Sequence, residues 1–225
     1  MFLAPGWWLL IPGIVLMLWA QSRVQGTYRK WSQFRSQLGM NGAQVARAIL
    51  DRKGLGHVAV EAVPGELSDH YDPQAKVVRL SESNYYSGSI AAAAVAAHEV
   101  GHALQDAGGY APMFVRASLV PVANIGASLG PWLVLGGLVF NLGGWLVNLG
   151  IVLFAAALLF HLVTLPVEFD ASKRALAIVD HLGILQGDER QGAREVLTAA
   201  AWTYIATTLY ALLQLVQLLM LRDQR

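Results

Sequence analysis

His98, Glu99 and His102 spell H-E-x-x-H within the run AAHEVGHALQDA, residues 96–107. On an α-helix, positions i and i+4 share a face, so both imidazoles can reach one ion. Nitrogen ligands at about 2.0–2.1 Å suit Zn²⁺. Glu99 lies beside the first histidine, where its carboxylate can take a proton from a water at the open coordination position. The competing reading is a buried helix with two hydrogen-bonded histidines. That reading leaves unexplained a glutamate set among alanines and valines, where an unpartnered carboxylate is expensive to bury. The pattern makes Glu99 the candidate catalytic base and His98 and His102 the candidate metal ligands.

A catalytic zinc usually has three protein ligands and one open site. The chain contains no cysteine, so the third ligand must be His, Asp or Glu, and the candidates are His57, His70, His161, His181, Glu168 and Asp170. The stretch LPVEFDASKRAL, residues 165–176, stands out. Pro166 can open a helix at its first turn. Glu168, Ala171, Ser172 and Ala175 then share one face, small apart from the carboxylate. Such a face can pack closely on another helix and present Glu168 to it. Asp170 lies about 200° away from Glu168 on an ideal helix, which fits a surface carboxylate better than a second ligand of the same ion.

The elements that must position these residues belong to a membrane protein. Of 225 residues, 55% are hydrophobic and only 14% charged, against about a quarter charged in soluble domains. The net charge of +1 gives nucleic acid nothing to bind. A helix needs about 20 apolar residues to cross a bilayer. Residues 2–20 form one such run, read as an uncleaved anchor because it lacks a basic leader and a small-residue cleavage site. Residues 117–167 contain no Asp, Glu, Lys or Arg and are long enough for two spans, placed at 118–139 and 145–165 with FNLGGW, 140–145, as the turn. Residues 199–220 supply a fourth.

The sequence thus divides into a first span over 1–20, a region over 21–113, a second span over 114–140, a hairpin and third span over 141–165, a segment over 166–198, a fourth span over 199–221 and a tail over 222–225. Arg23, Arg29, Lys30, Arg35, Arg47, Arg52, Lys53, Lys76 and Arg79 fall in 21–113. Lys173, Arg174, Arg190 and Arg194 fall in 166–198. The positive-inside rule places both segments in the cytoplasm of a cell (inner) membrane, against the milder pull of Arg222 and Arg225. Two spans separate His98 from Glu168, an even number, so both lie on one membrane face.

Outside the spans, residues 27–55 read as helical. Asn41 caps a segment whose Val45, Ala46 and Ile49 share one side, ending at Gly54 and Gly56. HVAVEAV, 57–63, and AKVVRLS, 75–81, read as strands separated by the turn YDPQ. Residues 88–107 read as an alanine-rich helix with Ser87 or Ser89 as its cap.

DHYDPQAKVVRLS, AAAAVAAHEVGHALQDA and PVEFDASKRAL resemble the signature blocks of the bacterial YugP-type neutral zinc metallopeptidases of the membrane. The resemblance runs from about residue 20 to the end. It implies a mainly α, multi-pass membrane protein of about four transmembrane helices with a juxtamembrane zincin-like α+β region. It also implies Zn²⁺ held by His98, His102 and Glu168. The layout is similar to that of HtpX-type gluzincins, whose third ligand lies in an E-x-x-A-D motif. Glu168 and Ala171 match that motif, but Ser172 stands where those relatives have Asp. The carboxylate that would orient a ligand histidine is then missing or supplied by Asp170 or Asp106. A zincin-like core also places a short strand edge beside the H-E-x-x-H helix. Residues 76–80 match that strand, so Val77, Val78 and Arg79 become candidate substrate contacts through strand addition.

The reaction implied is hydrolysis of peptide bonds in membrane or membrane-proximal proteins, with Glu99 as general base. An oxyanion donor is sought among His70, Tyr71, Tyr85, Tyr86, His181 and Tyr204, each of which packs equally well as an amphipathic side chain. His161, inside the third span, reads as a neutral histidine hydrogen-bonded between helices, and Arg116 as an interfacial anchor. Two other readings compete. A non-catalytic membrane scaffold with a structural zinc would have no use for Glu99. An intramembrane protease would carry an L-D-G ligand motif, which the chain lacks.

Overall fold

The computed structural model describes residues 6–223. The start of the first expected span, residues 2–5, and the end of the tail lie outside them. The chain is mainly helical. After a 3₁₀ turn at Trp7–Leu9 come α1 (Leu10–Ser32), α2 (Gly42–Arg52), β1 (Ala59–Val63), β2 (His70–Asp72), β3 (Val77–Ser81), α3 (Glu82–Tyr85), α4 (Ile90–Ala107), α5 (Ala111–Val139), α6 (Gly144–His181) and α7 (Asp188–Asp223). Among the described residues four helical stretches, Trp7–Ser32, Ala111–Val139, Gly144–His181 and Asp188–Asp223, are long and apolar enough to cross a membrane. The protein has the make-up of a multi-pass membrane protein with a small three-stranded sheet.

Two compact units divide the chain. One comprises residues 1–21, 111–166 and 202–225, and the other residues 22–110 and 167–201. The first unit is held by apolar packing among Val134, Val147, Ile151, Phe154, Leu158, Ala211 and Leu218. Glycines let α5 and α6 approach closely. A Cβ on Gly130 would lie 2.9 Å from the Gly150 carbonyl oxygen, and one on Gly150 would lie 2.6 Å from that of Gly130. Small residues at helix contacts are the usual means of close packing where lipid removes the hydrophobic driving force.

The second unit contains the sheet and α4. Asn41 caps α2 reciprocally with Gln44, each side chain accepting from the other residue's backbone N–H. Val45, Ala46, Ile49 and Leu50 are fully buried on the side of α2 that packs on α4. Ser89 caps α4 by accepting from the Ala92 N–H, and the Ser87 hydroxyl donates to Ser89 Oγ. The alanines at 91–94, 96 and 97 are buried, so α4 is enclosed on most sides.

Several expectations change. The helix expected over 27–55 is broken, because α1 ends at Ser32 and α2 begins at Gly42. Pro166 starts no new helix; α6 runs through it from Gly144 to His181. The lost N–H at one position is a smaller penalty than breaking a long, otherwise continuous helix. Likewise α7 is unbroken from Asp188. The sheet gains β2, too short to show alternation in the sequence, and its order is β1-β3-β2. β3 pairs in parallel with β1 (Ala59↔Val77 to Val63↔Ser81) and antiparallel with β2 (His70↔Arg79 to Asp72↔Val77). Val77, Val78 and Arg79 therefore lie in the central strand. Their backbone is flanked by strands on both sides, and the expectation that residues 76–80 form an open edge is corrected.

Candidate metal centre

The chemistry gathers in the second unit, on α4 and on the segment of α6 after Pro166. His98, His102 and Glu168 bring one donor atom each to within 4.8 Å of one another. His98 Nε2 lies 3.2 Å and His102 Nε2 3.5 Å from Glu168 Oε2. Two ligands of a tetrahedral zinc with bonds near 2.05 Å stand about 3.3–3.4 Å apart, so these separations have the length of a tetrahedron's edges. The imidazoles meet edge to face, with centroids 4.8 Å apart and planes at 87°. Both point Nε2 at the same carboxylate oxygen. The donor set fits Zn²⁺ in type and number, and the two separations from Glu168 fit it in length.

Gly101 makes this convergence possible. A Cβ there would sit 2.6 Å from the Ala171 carbonyl oxygen, closer than any real side chain. The glycine lies between the two histidines in sequence, and the fully buried Ala171 lies one turn after Glu168. Two small residues thus bring α4 and α6 into contact at the level of the ligands.

Each histidine is also held from its far side. His98 Nδ1 is 3.1 Å from Ser172 Oγ. His102 Nδ1 is 3.0 Å from Gln105 Oε1. Neither aspartate suggested by the sequence touches a ligand histidine. Asp170 accepts from Gln105 Nε2 at 2.9 Å and pairs with Arg174. Burial would raise its pKa, but the bonds from Arg174 and Gln105 outweigh it and hold the carboxyl below its ordinary range. Asp106 is taken by Tyr71 and Lys76, accepting from them at 2.6 and 2.5 Å. Burial and the Asp106 carboxylate push the Tyr71 phenol above its ordinary range.

The Glu168 carboxylate is 3% exposed. Burial would raise its pKa, but the two imidazoles outweigh it and hold the carboxyl well below the ordinary range. Burial would lower the His102 pKa, and here the carboxylates of Glu168 and Glu99 reverse the direction. Glu99 is 8% exposed and its side chain accepts no hydrogen bond among the described residues.

The other candidates lie elsewhere. His57 and His181 are exposed. His70 Nδ1 is bonded to the Ser68 carbonyl. The Tyr71 proton is already donated to Asp106. Tyr85 and Tyr86 meet edge to face and line a groove with Asn41, Gln44 and Arg47. His161 and Tyr204 belong to the first unit. His161 meets the Phe160 ring edge-on and makes no hydrogen bond among the described residues, contrary to the expected interhelical bond. Sequence reasoning missed Gln105 and, although it singled out Ser172, missed that its hydroxyl meets His98. The one available signal was their position, three residues after His102 and four after Glu168.

A mainly helical membrane protein with this donor set has clear relatives. Residues 6–223 match the family described as "Putative neutral zinc metallopeptidase", and the chain belongs to that family. It is 46% identical over 213 residues to the "Putative membrane protease YugP" of Bacillus subtilis (strain 168), with 95% of this chain and 94% of that one covered. No solved structure matches it.

Proposed function

We propose that this protein is a membrane-embedded, zinc-dependent endopeptidase. Its zinc is held by His98, His102 and Glu168, and it cleaves membrane or membrane-proximal proteins at the cytoplasmic face. The observation that carries the reading is Glu99, nearly buried and without a hydrogen bond among the described residues, beside three convergent donors. A structural zinc site would need the donors but not that carboxylate. The membership of the zinc metallopeptidase family supports the same reaction class.

Zinc in this site supplies a Lewis acid that polarises the scissile carbonyl and acidifies a water. Glu99 accepts the proton of the attacking water and returns it to the leaving amine. Glu168 contributes the single negative charge of the donor set, while Ser172 and Gln105 hold the two imidazoles at their Nδ1 atoms. The placement at the membrane face rests on the sequence, in which the charge-free run ends at Val167 and Glu168 follows directly.

The test is cleavage of an unstructured fluorogenic polypeptide by the detergent-purified protein. Activity should vanish on chelation and return with zinc. Glu99→Gln should lower it by about 10²–10⁴-fold, the usual contribution of a positioned acid–base group, with zinc retained. Cleavage by Glu99→Gln at the wild-type rate would rule out the assigned role.

A further inference from the structure

Gln105 is fully buried, and its amide makes three hydrogen bonds that fix its orientation. Nε2 donates to the Val167 carbonyl at 2.7 Å and to Asp170 Oδ2 at 2.9 Å. A carbonyl oxygen and an ionised carboxylate only accept, so the amide NH₂ must face α6. Oε1 must then face His102, 3.0 Å from Nδ1. Because Oε1 only accepts, His102 must carry its proton on Nδ1. In the neutral imidazole, the form that binds a metal, the lone pair is then left on Nε2, the atom that faces Glu168. Each step follows from donor and acceptor types alone. Ser172 sets no such condition on His98, since a hydroxyl can donate or accept.

The same amide ties the two ligand-bearing helices together. Val167 precedes Glu168, and Gln105 lies three residues after His102 on α4, so the bond to the Val167 carbonyl sits beside both ligands. Arg174, bonded to Asp170 Oδ2, keeps the outer acceptor charged. The chain Arg174–Asp170–Gln105–His102 thus runs from a half-exposed cation to a ligand imidazole.

We propose that Gln105 is a positioning residue of the metal centre: it locks His102 in the tautomer that offers Nε2 to the ion and fixes α4 against α6 at the level of the ligands. The proposal rests on the zinc reading given above. A glutamine with a half-buried aspartate behind it does here what a carboxylate bonded directly to the histidine does in other zinc sites.

The full-length protein in detergent, with zinc as the probe, provides the test. Zinc affinity is measured by chelator competition and thermal unfolding is followed on the metal-free protein, for wild type, Gln105→Met and Gln105→Glu. Methionine fills the space but removes the acceptor for His102 Nδ1–H. Glutamate keeps that acceptor, loses both donors and sets a carboxylate against Asp170 and the Val167 carbonyl. Gln105→Met should bind zinc about 10–100-fold more weakly than wild type, the usual cost of removing such a partner. It should also shift the visible absorption of the cobalt-loaded protein. Gln105→Glu should unfold at the lower temperature yet bind zinc more tightly than Gln105→Met.

A role in packing alone would make affinity follow unfolding temperature, with glutamate the worse on both counts, and that order would overturn the proposal. So would wild-type affinity in Gln105→Met. If Gln105→Met does not fold, Asp170→Ala decides, because removing the outer acceptor should weaken zinc binding and an unchanged affinity would overturn the proposed chain. Failure of the wild type to bind zinc would instead overturn the metal-site reading itself, and the inference with it.

Discussion

Ser172 presents a hydroxyl, not a carboxylate, to His98 Nδ1 at 3.1 Å. A hydroxyl orients the ring but adds no charge. Ser172→Ala should therefore weaken zinc binding, by about tenfold at the lower end of the range for such partners, whereas Ser172→Asp should retain or strengthen it. Both are read by chelator competition. At this scale the candidate donors were legible in the sequence, and the structure brings His98, His102 and Glu168 together. H-E-x-x-H fixes two donors by helix periodicity alone, and Glu168 stood out because the rest of its helix face is small. The partner of Gln105, and the bond that Ser172 makes, were not legible, because they depend on how α4 is rotated against α6. No spacing within either segment encodes that rotation. The aspartates suggested for this task, Asp170 and Asp106, are occupied by Arg174 and Gln105 and by Tyr71 and Lys76.

At the scale of elements, the approach of α4 to α6 depends on Gly101. Gly101→Ala would drive a methyl carbon to 2.6 Å from the Ala171 carbonyl oxygen. The helices must then separate, at a cost of about 1–3 kcal/mol typical of overpacking. A lower unfolding temperature together with weaker zinc binding is expected, measured on the same preparation. Unchanged zinc affinity would mean that the helix contact does not set the ligand geometry. The helices and their caps at Asn41 and Ser89 could be read from the sequence because capping and periodicity are local. The sheet could not be read as fully. β2 has three residues and no alternation to detect, and without it β3 looks like an edge. Pairing on both sides of β3 removes Val77, Val78 and Arg79 as a strand-addition surface and leaves β1 and β2 as the outer strands.

For the whole molecule, composition alone announced a membrane protein, and four helices of spanning length and apolarity agree with it. The proposed orientation is testable because the chain has no cysteine. A single cysteine at Ser68 should resist an impermeant maleimide in intact cells, and one at Asn141, in the turn between α5 and α6, should react. The reverse pattern would move the site to the outer face. The central claim, however, is the donor set, and zinc content tests it most directly. Protein purified in detergent should carry about one zinc per chain, as a single three-donor site requires. His98→Ala and Glu168→Ala should lose the metal, and Glu99→Gln should keep it. Zinc retained in Glu168→Ala, or absent from the wild type even after adding it back, would contradict the assignment.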